Sequence, residues 1–302
     1  MPSTNRRPSF PGGVSTLASR SVARIGFGAM QLPGPRVFGP PRDRDKALAV
    51  LRRAVELGVN HIDTAQFYGP NVANELIRAA LHPYPEDLVL VTKVGARRDD
   101  QGAWLAAQRP EQLRAGVEDN LRSLGVGCVD VVNLRLHDAG HDEDPQMVDL
   151  DEQLAELVAM RDEGKIAAIG ISNVTLEQLT QALPVGLACV QNAYNLLDRS
   201  AEPLLELCHT HNVAWVPYFP LGSAFPGVPK VTEHPDVIAA STRLEATPAQ
   251  VGLAWLLAHA PEVLLIPGTS SLDHLGQNID AGKVQLDEDA MAVLDRVAAP
   301  AS

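Results

Sequence analysis

Three residues carry the first chemical signal: Asp63 and Tyr68 within HIDTAQFYG, and Lys93 within VLVTKVG. A phenol is a weak acid with an ordinary pKa of about 10. An ammonium beside its oxygen favours the phenolate and lowers that value, and a carboxylate behind the lysine holds the ammonium in place. Such a trio can pass a proton to a carbonyl oxygen while a separate donor delivers a hydride. Any chain of this length contains Asp, Tyr and Lys, so position is what makes these three informative. Each stands at or just past the end of a short apolar run, where parallel α/β barrels assemble their active sites.

The runs that must position the trio alternate with stretches of helical period. Strands are predicted at 24–27, 60–63, 88–93 and 129–136, then at 166–172, 188–192, 213–218 and 263–267. Helices are predicted over 44–57, 110–124, 149–163 and 202–211, with another opening at Thr247-Pro248, a cap followed by proline at the first helical position. Strands alternating with helices imply parallel βαβ units, and eight of them favour a closed (β/α)8 TIM barrel of α/β class. No G-x-G-x-x-G follows any strand, which argues against a doubly wound dinucleotide-binding sheet. A length of 302 residues fits one such barrel, so residues 21–302 are expected to form a single domain. Residues 1–20 are expected to be an N-terminal segment, either a hairpin at the barrel bottom or loose chain.

The formal charge of −12 argues against nucleic-acid partners, which need a basic surface. No apolar run approaches the roughly 18 residues of a membrane helix, and no apolar stretch follows the two N-terminal arginines as a secretory signal requires. A cytoplasmic protein with no membrane partner is the expectation. Three cysteines without CxxC spacing fit a reducing compartment, and Cys128 and Cys189 lie in apolar runs where thiols are usually buried and inert. Cys208-His209-x-His211 lacks a second ligand pair, so no metal site is expected. The HDAGHDED segment at 137–144 reads as a solvated loop at the rim of the site.

Seven motifs then occur in one order over most of the chain: GFGAM (26–30), HIDTAQFYG (61–69), TK (92–93), GISN (170–173), VQNAYN (190–195), PYFPLG (217–222) and IPGTSSLDHLGQN (266–278). Together they resemble the aldo-keto reductase family. The stretches GAMQLPGPRVFGPPRDR, FYGP, TKVGARR, DVVNLR and IPGTSS look most like its branch of bacterial pyridoxal reductases.

The resemblance implies hydride transfer from NADPH to a small-molecule aldehyde, pyridoxal to pyridoxine being the best single expectation. Tyr68 would be the general acid, Lys93 would lower its pKa, and Asp63 would pair with Lys93 beside the cofactor. Ser172, Asn173 and Gln191 would hydrogen-bond the nicotinamide carboxamide, and Tyr218 would stack on its ring. Gly28, Met30, Pro220, Leu221, Gly222 and Ile266 would complete the cofactor wall, with 222–233 closing over the pyrophosphate. Thr269 and Ser270 would hold the 2′-phosphate near a helix N-terminus, and Gln277 and Asn278 would face the adenine. Relatives specific for NADPH often carry Lys and Arg where this chain has Gly268 and His274, so NADH is expected to be accepted with lower preference.

The family histidine that contacts the substrate carbonyl is replaced, on the alignment of DVVNLR, by Arg135, with His137 two residues on and facing the same way. Either can donate to a developing oxyanion. Trp104 is a candidate substrate wall. The alternatives are reduction or oxidation of another aldehyde, alcohol or sugar, a cofactor-binding regulatory subunit, and a barrel isomerase for a phosphorylated sugar.

Overall fold

An antiparallel hairpin opens the described chain, β1 (Val14–Leu17) pairing with β2 (Arg20–Ala23) around Ala18 and Ser19, both at positive φ. Such turns match the right-handed twist of the strands they join. The computed structural model describes residues 10–137, 148–222 and 229–297. Parts of the expected rim loop (137–144), of the 222–233 connection and of the N-terminal segment therefore lie outside the described residues.

After the hairpin come β3 (Phe27–Gly28), α1 (Arg44–Glu56), β4 (His61–Asp63), α2 (Val72–Leu81) and β5 (Val89–Val94). A second hairpin, β6 (Ala96–Arg98) with β7 (Trp104–Ala106), precedes α3 (Pro110–Leu124) and β8 (Val129–Arg135). The alternation continues through α4 (Leu150–Asp162), β9 (Ile166–Ser172), α5 (Leu176–Ala182), β10 (Leu187–Gln191), α6 (Glu202–His211) and β11 (Ala214–Trp215). The chain ends with α7 (Pro235–Arg243), α8 (Pro248–His259), α9 (Leu272–Asp280) and α10 (Glu288–Val297).

Local chemistry explains several boundaries. Pro110 starts α3 where no N–H is needed, and Gly125 ends it at φ 72, a left-handed cap that glycine adopts without strain. Thr247 and Gln250 cap α8 reciprocally, each side chain accepting from the other's backbone N–H (3.2 and 2.9 Å).

β3, β4, β5, β8, β9, β10 and β11 form one parallel sheet in that order. The eighth stave is shorter than the predicted 263–267: it joins by bridges of Val263 to Trp215 and of Leu265 to Ile25. Leu264 N donates to Trp215 O and Gly26 N to Leu265 O, both at 2.8 Å, and these bonds close the barrel. The predicted strand at 213–218 likewise keeps ladder pairing only at Ala214–Trp215. Pro217 and Pro267 lack the N–H that would continue either ladder.

Because successive strand residues face opposite ways, the interior is lined by alternate positions. Val89, Val91, Val131, Cys189, Ala214, Val216 and Leu264 form that inner cluster, and Leu17 and Val22 of the first hairpin pack into it from below. A larger cluster fills the layer between strands and helices. Cys189 and Cys208 are buried, whereas Cys128, expected inside, is exposed just before β8. Among the described residues no helix is long and apolar enough to cross a membrane.

His61, two residues before Asp63 on β4, points into the same interior. Neither ring nitrogen has a hydrogen-bond partner among the described residues, and the ring lies flat against Gly26, where an added Cβ would stand 2.2 Å from Nε2. Burial pushes its pKa from the ordinary 6.5 down to about 4, offset only in part by the Leu265 backbone, which lies close but outside hydrogen-bonding geometry. The unfolded chain therefore binds a proton below pH 6.5 that the folded chain refuses until about pH 4. Stability should fall by on the order of 3 kcal/mol as pH drops through that window. Urea titrations from pH 7 to 4 should show this slope in the native chain and lose it in His61→Leu; an equal slope in both would place its origin elsewhere.

Candidate active site

The alternation that lines the interior also delivers the polar residues. Continuing each inward series to the C-terminal strand ends places Asp63, Lys93, Arg135, Ser172, Gln191, Tyr218 and Ile266 around one mouth. There the Lys93 ammonium is salt-bridged to Asp63 Oδ1 and donates to Thr64 O at 3.2 Å. Asp63 Oδ2 accepts from Gln191 Nε2 at 2.7 Å. Tyr68 arrives on the loop after β4, and Lys93 Nζ lies 5.3 Å from its ring centroid. All three residues are buried, at 3% exposure for Asp63 and 6% for Tyr68 and Lys93.

Burial is the largest influence on the Tyr68 phenol and pushes its pKa above the ordinary value. Lys93 and, more weakly, Arg135 pull it down, while Asp63 pushes it up. The net direction is upward, which corrects the expectation of a lowered phenol: the sequence displays the charges but not the desolvation that outweighs them. For Lys93, burial disfavours the ammonium, yet Asp63 and Tyr68 more than restore it and its pKa lies above the usual lysine range. At neutral pH the site holds a neutral phenol beside a firmly charged ammonium.

These side chains open into a cleft of about 350 Å³. Gly28, Met30, Gln191, Tyr218, Pro220, Leu221 and Gly222 line one part of it, and Ile266, Gly268, Thr269, His274, Gln277 and Asn278 the other. Ser172, Asn173 and Ser270 do not line it. Asn173, at φ 62, instead donates from Nδ2 to Leu136 O (3.0 Å) and accepts from the Tyr218 hydroxyl (3.1 Å), which orients that ring. Gln191 Oε1 is buried at the cleft wall with no partner among the described residues, an acceptor left for an N–H from whatever fills the cleft.

Gly28 and Gly268 cross closely: a Cβ at 268 would lie 2.6 Å from Gly28 O, and one at 28 would lie 2.4 Å from Ile266 O. No side chain fits at 268 unless the backbone shifts. Thr269 Oγ1 accepts from Ser271 N (3.0 Å), and Ser271 caps α9, whose first turns carry His274 and Gln277 along the cleft.

Comparison with known proteins agrees with this geometry. The aldo/keto reductase family model matches residues 24–299. The chain belongs to that family. It is an oxidoreductase, and is 47% identical over 283 residues to the pyridoxine 4-dehydrogenase of Escherichia coli (strain K12), covering 93% of this chain and 97% of that protein. A thermostable aldo-keto reductase in complex with the inhibitor epalrestat superposes with a TM-score of 0.78 at 29% identity, over 94% of this chain and 99% of that one. An aldo/keto reductase from Klebsiella pneumoniae, in complex with NADP and acetate, gives 0.73 at 26% identity over 98% and 97%.

Three candidates of this aldo/keto reductase stand back from the cleft wall. Arg135 is half-buried on β8, its charge reaching Tyr68, with no hydrogen bond or ion pair holding the guanidinium among the described residues. His137 is half-buried just past β8. Trp104 meets Phe67, which in turn meets Tyr68, the rings edge-on at 5.5 and 5.3 Å, and the Arg98 guanidinium lies over the Trp104 ring at 4.1 Å. Gln31, Phe219, Ala249 and Pro267 line the cleft although sequence reasoning did not single them out; all but Ala249 adjoin a motif quoted above or belong to one.

Lys93→Met removes the principal downward pull on Tyr68 and leaves Asp63 unpaired. The phenol should titrate higher still, so the alkaline limb of the pH–rate profile should move to higher pH as turnover falls. Loss of one partner from a buried pair should also destabilise by about 3–5 kcal/mol. An alkaline limb that stays in place in the folded variant would show that Lys93 does not tune Tyr68.

Proposed function

We propose that this chain is an NADPH-dependent aldehyde reductase whose substrate is pyridoxal, reduced to pyridoxine, in the cytoplasm. The observation that carries the reading is the neutral, buried Tyr68 beside the Asp63–Lys93 ion pair at the floor of the cleft. Similarity to a pyridoxine 4-dehydrogenase across nearly both chains supports the substrate. The cleft suits a nicotinamide dinucleotide on its own terms: Gln191 Oε1 awaits an amide N–H, Tyr218 presents an oriented ring, and the capped N-terminus of α9 favours a phosphate.

When bound, NADPH supplies the hydride. Tyr68 gives its proton to the carbonyl oxygen as negative charge develops there, and Lys93 stabilises the phenolate left behind. Asp63 keeps Lys93 charged and in place, and Gln191 steadies Asp63. Arg135 supplies a fixed positive charge to the same oxygen. With neither Lys at 268 nor Arg at 274, the 2′-phosphate relies on Thr269 and α9, so NADH is accepted less well rather than excluded.

A panel of aldehydes including pyridoxal, assayed with NADPH and NADH by loss of reduced-nicotinamide absorbance, tests the reading; turnover of other aldehydes but not pyridoxal would move the substrate elsewhere. Within that assay Arg135→Ala should lower kcat, but by less than the roughly 2.7–4 kcal/mol of a preorganised oxyanion donor, because the guanidinium stands back from the cleft and acts through its charge. His137→Ala should cost little, and the acid limb should show no titration near about 6.5, the ordinary histidine value. A large kcat loss in His137→Ala with Arg135→Ala near normal would exchange the two roles.

A further inference from the structure

The residues flanking the ion pair face the other way. Thr64 follows Asp63 and Thr92 precedes Lys93, so both hydroxyls leave the interior for the layer beneath α2 and α3. There Thr64 Oγ1 donates to Asn74 Oδ1 at 2.8 Å, and Thr92 Oγ1 to Asn120 Oδ1 at 2.6 Å. Asn74 Nδ2 donates to Asn120 Oδ1 at 2.9 Å, joining the two arms, and to Ser123 Oγ at 2.9 Å. Asn120 Nδ2 is directed to Gln66 Oε1 (3.0 Å), Gly116 O (2.8 Å) and Lys93 O (3.3 Å). Gln66 sits two residues before Tyr68, on the loop that carries it. Thr64, Asn74, Thr92 and Asn120 are all fully buried, and none of them lines the cleft.

An amide inside an apolar helix–sheet layer is costly unless it is bonded, and apolar side chains would pack the two helices equally well. What this amide does that an apolar residue cannot is tie three separate segments together. It holds the Lys93 strand through Thr92, with Lys93 O a longer contact that shares the two amide hydrogens, the Asp63 strand through Asn74 and Thr64, and the Tyr68 loop through Gln66. We infer that Asn120 is a positioning residue for the reaction, setting from behind the barrel the mutual placement of Asp63, Tyr68 and Lys93. The inference rests on the proposed role of Tyr68 as the proton donor.

Asn120→Leu and the milder, isosteric Thr92→Val test it in the full-length protein. Turnover of pyridoxal, affinity for NADPH, thermal stability and the ionisation of Tyr68 are measured together, the last by tyrosinate absorbance with the matching Tyr68→Phe protein subtracted. Asn120→Leu should lower kcat roughly ten- to hundredfold, and Thr92→Val less, with KM and NADPH affinity held within about twofold. Tyr68 should titrate at higher pH in both, because Lys93 is held less firmly against it. Lowered thermal stability with native kcat and native Tyr68 ionisation would reduce the network to a structural role and overturn the inference. If Asn120→Leu does not fold, Thr92→Val decides by the same readouts. A native protein inactive on every aldehyde would defeat the proposed function, while the Tyr68 titration would still report on the positioning.

Discussion

A carboxylate and an ammonium share the mouth of this barrel, and most of what surrounds them follows from keeping both charges out of water. Asp63 and Lys93 are almost wholly buried, so neither is solvated, and their attraction compensates the loss only if the remaining bonding capacity is met. Both Asp63 oxygens are engaged, by Lys93 and by Gln191, and Lys93 finds a second acceptor in Thr64 O. Such a pair adds little net stability over an apolar substitute, but removing one member leaves a buried charge alone. The pair is therefore an arrangement the fold is built to hold, and its value lies in the electrostatics it imposes on Tyr68.

That electrostatics is a contest. Desolvation makes the Tyr68 phenol hold its proton more tightly, while the ammonium works against it. The outcome suits reduction: the acid is fully loaded at neutral pH, and the charge that stabilises its conjugate base is already in place before the reaction begins, so little reorganisation is required. The closed barrel makes this possible. The hairpin of β1 and β2 and the aliphatic inner cluster exclude water from below, and the same alternation that aims valines inward lower in the strands aims Asp63, Lys93 and Gln191 inward at their ends.

Much of this architecture is legible in the sequence, and the exceptions have physical causes. The eight staves are readable because short, mostly apolar runs of four to eight residues recur between helical stretches, and the chemistry is readable because its residues cluster at the run ends. The predicted elements do not include the β6–β7 hairpin and the short α5 and α7, which are too brief for a periodic signal, nor α2, although it is as long as the predicted α6. Cys128 was misplaced because an apolar neighbourhood in sequence does not reveal that the strand has not yet begun. The sign of the Tyr68 shift was missed because charges can be counted in a sequence and burial cannot. Asn120 is the deepest omission: an asparagine within a helix reads as an indifferent helix former, and only the fold brings Thr92, Asn74, Gln66 and Lys93 to it.

The central claim is that one buried phenol supplies the proton, and Tyr68→Phe tests it most directly. The substitution removes a single oxygen from a site whose cofactor contacts lie elsewhere. Pyridoxal turnover and NADPH binding, the latter by fluorescence titration of the same sample, should separate cleanly: reduction nearly abolished, affinity for NADPH unchanged. Turnover within a few-fold of the native protein would contradict the account, because the proton would then be coming from another group.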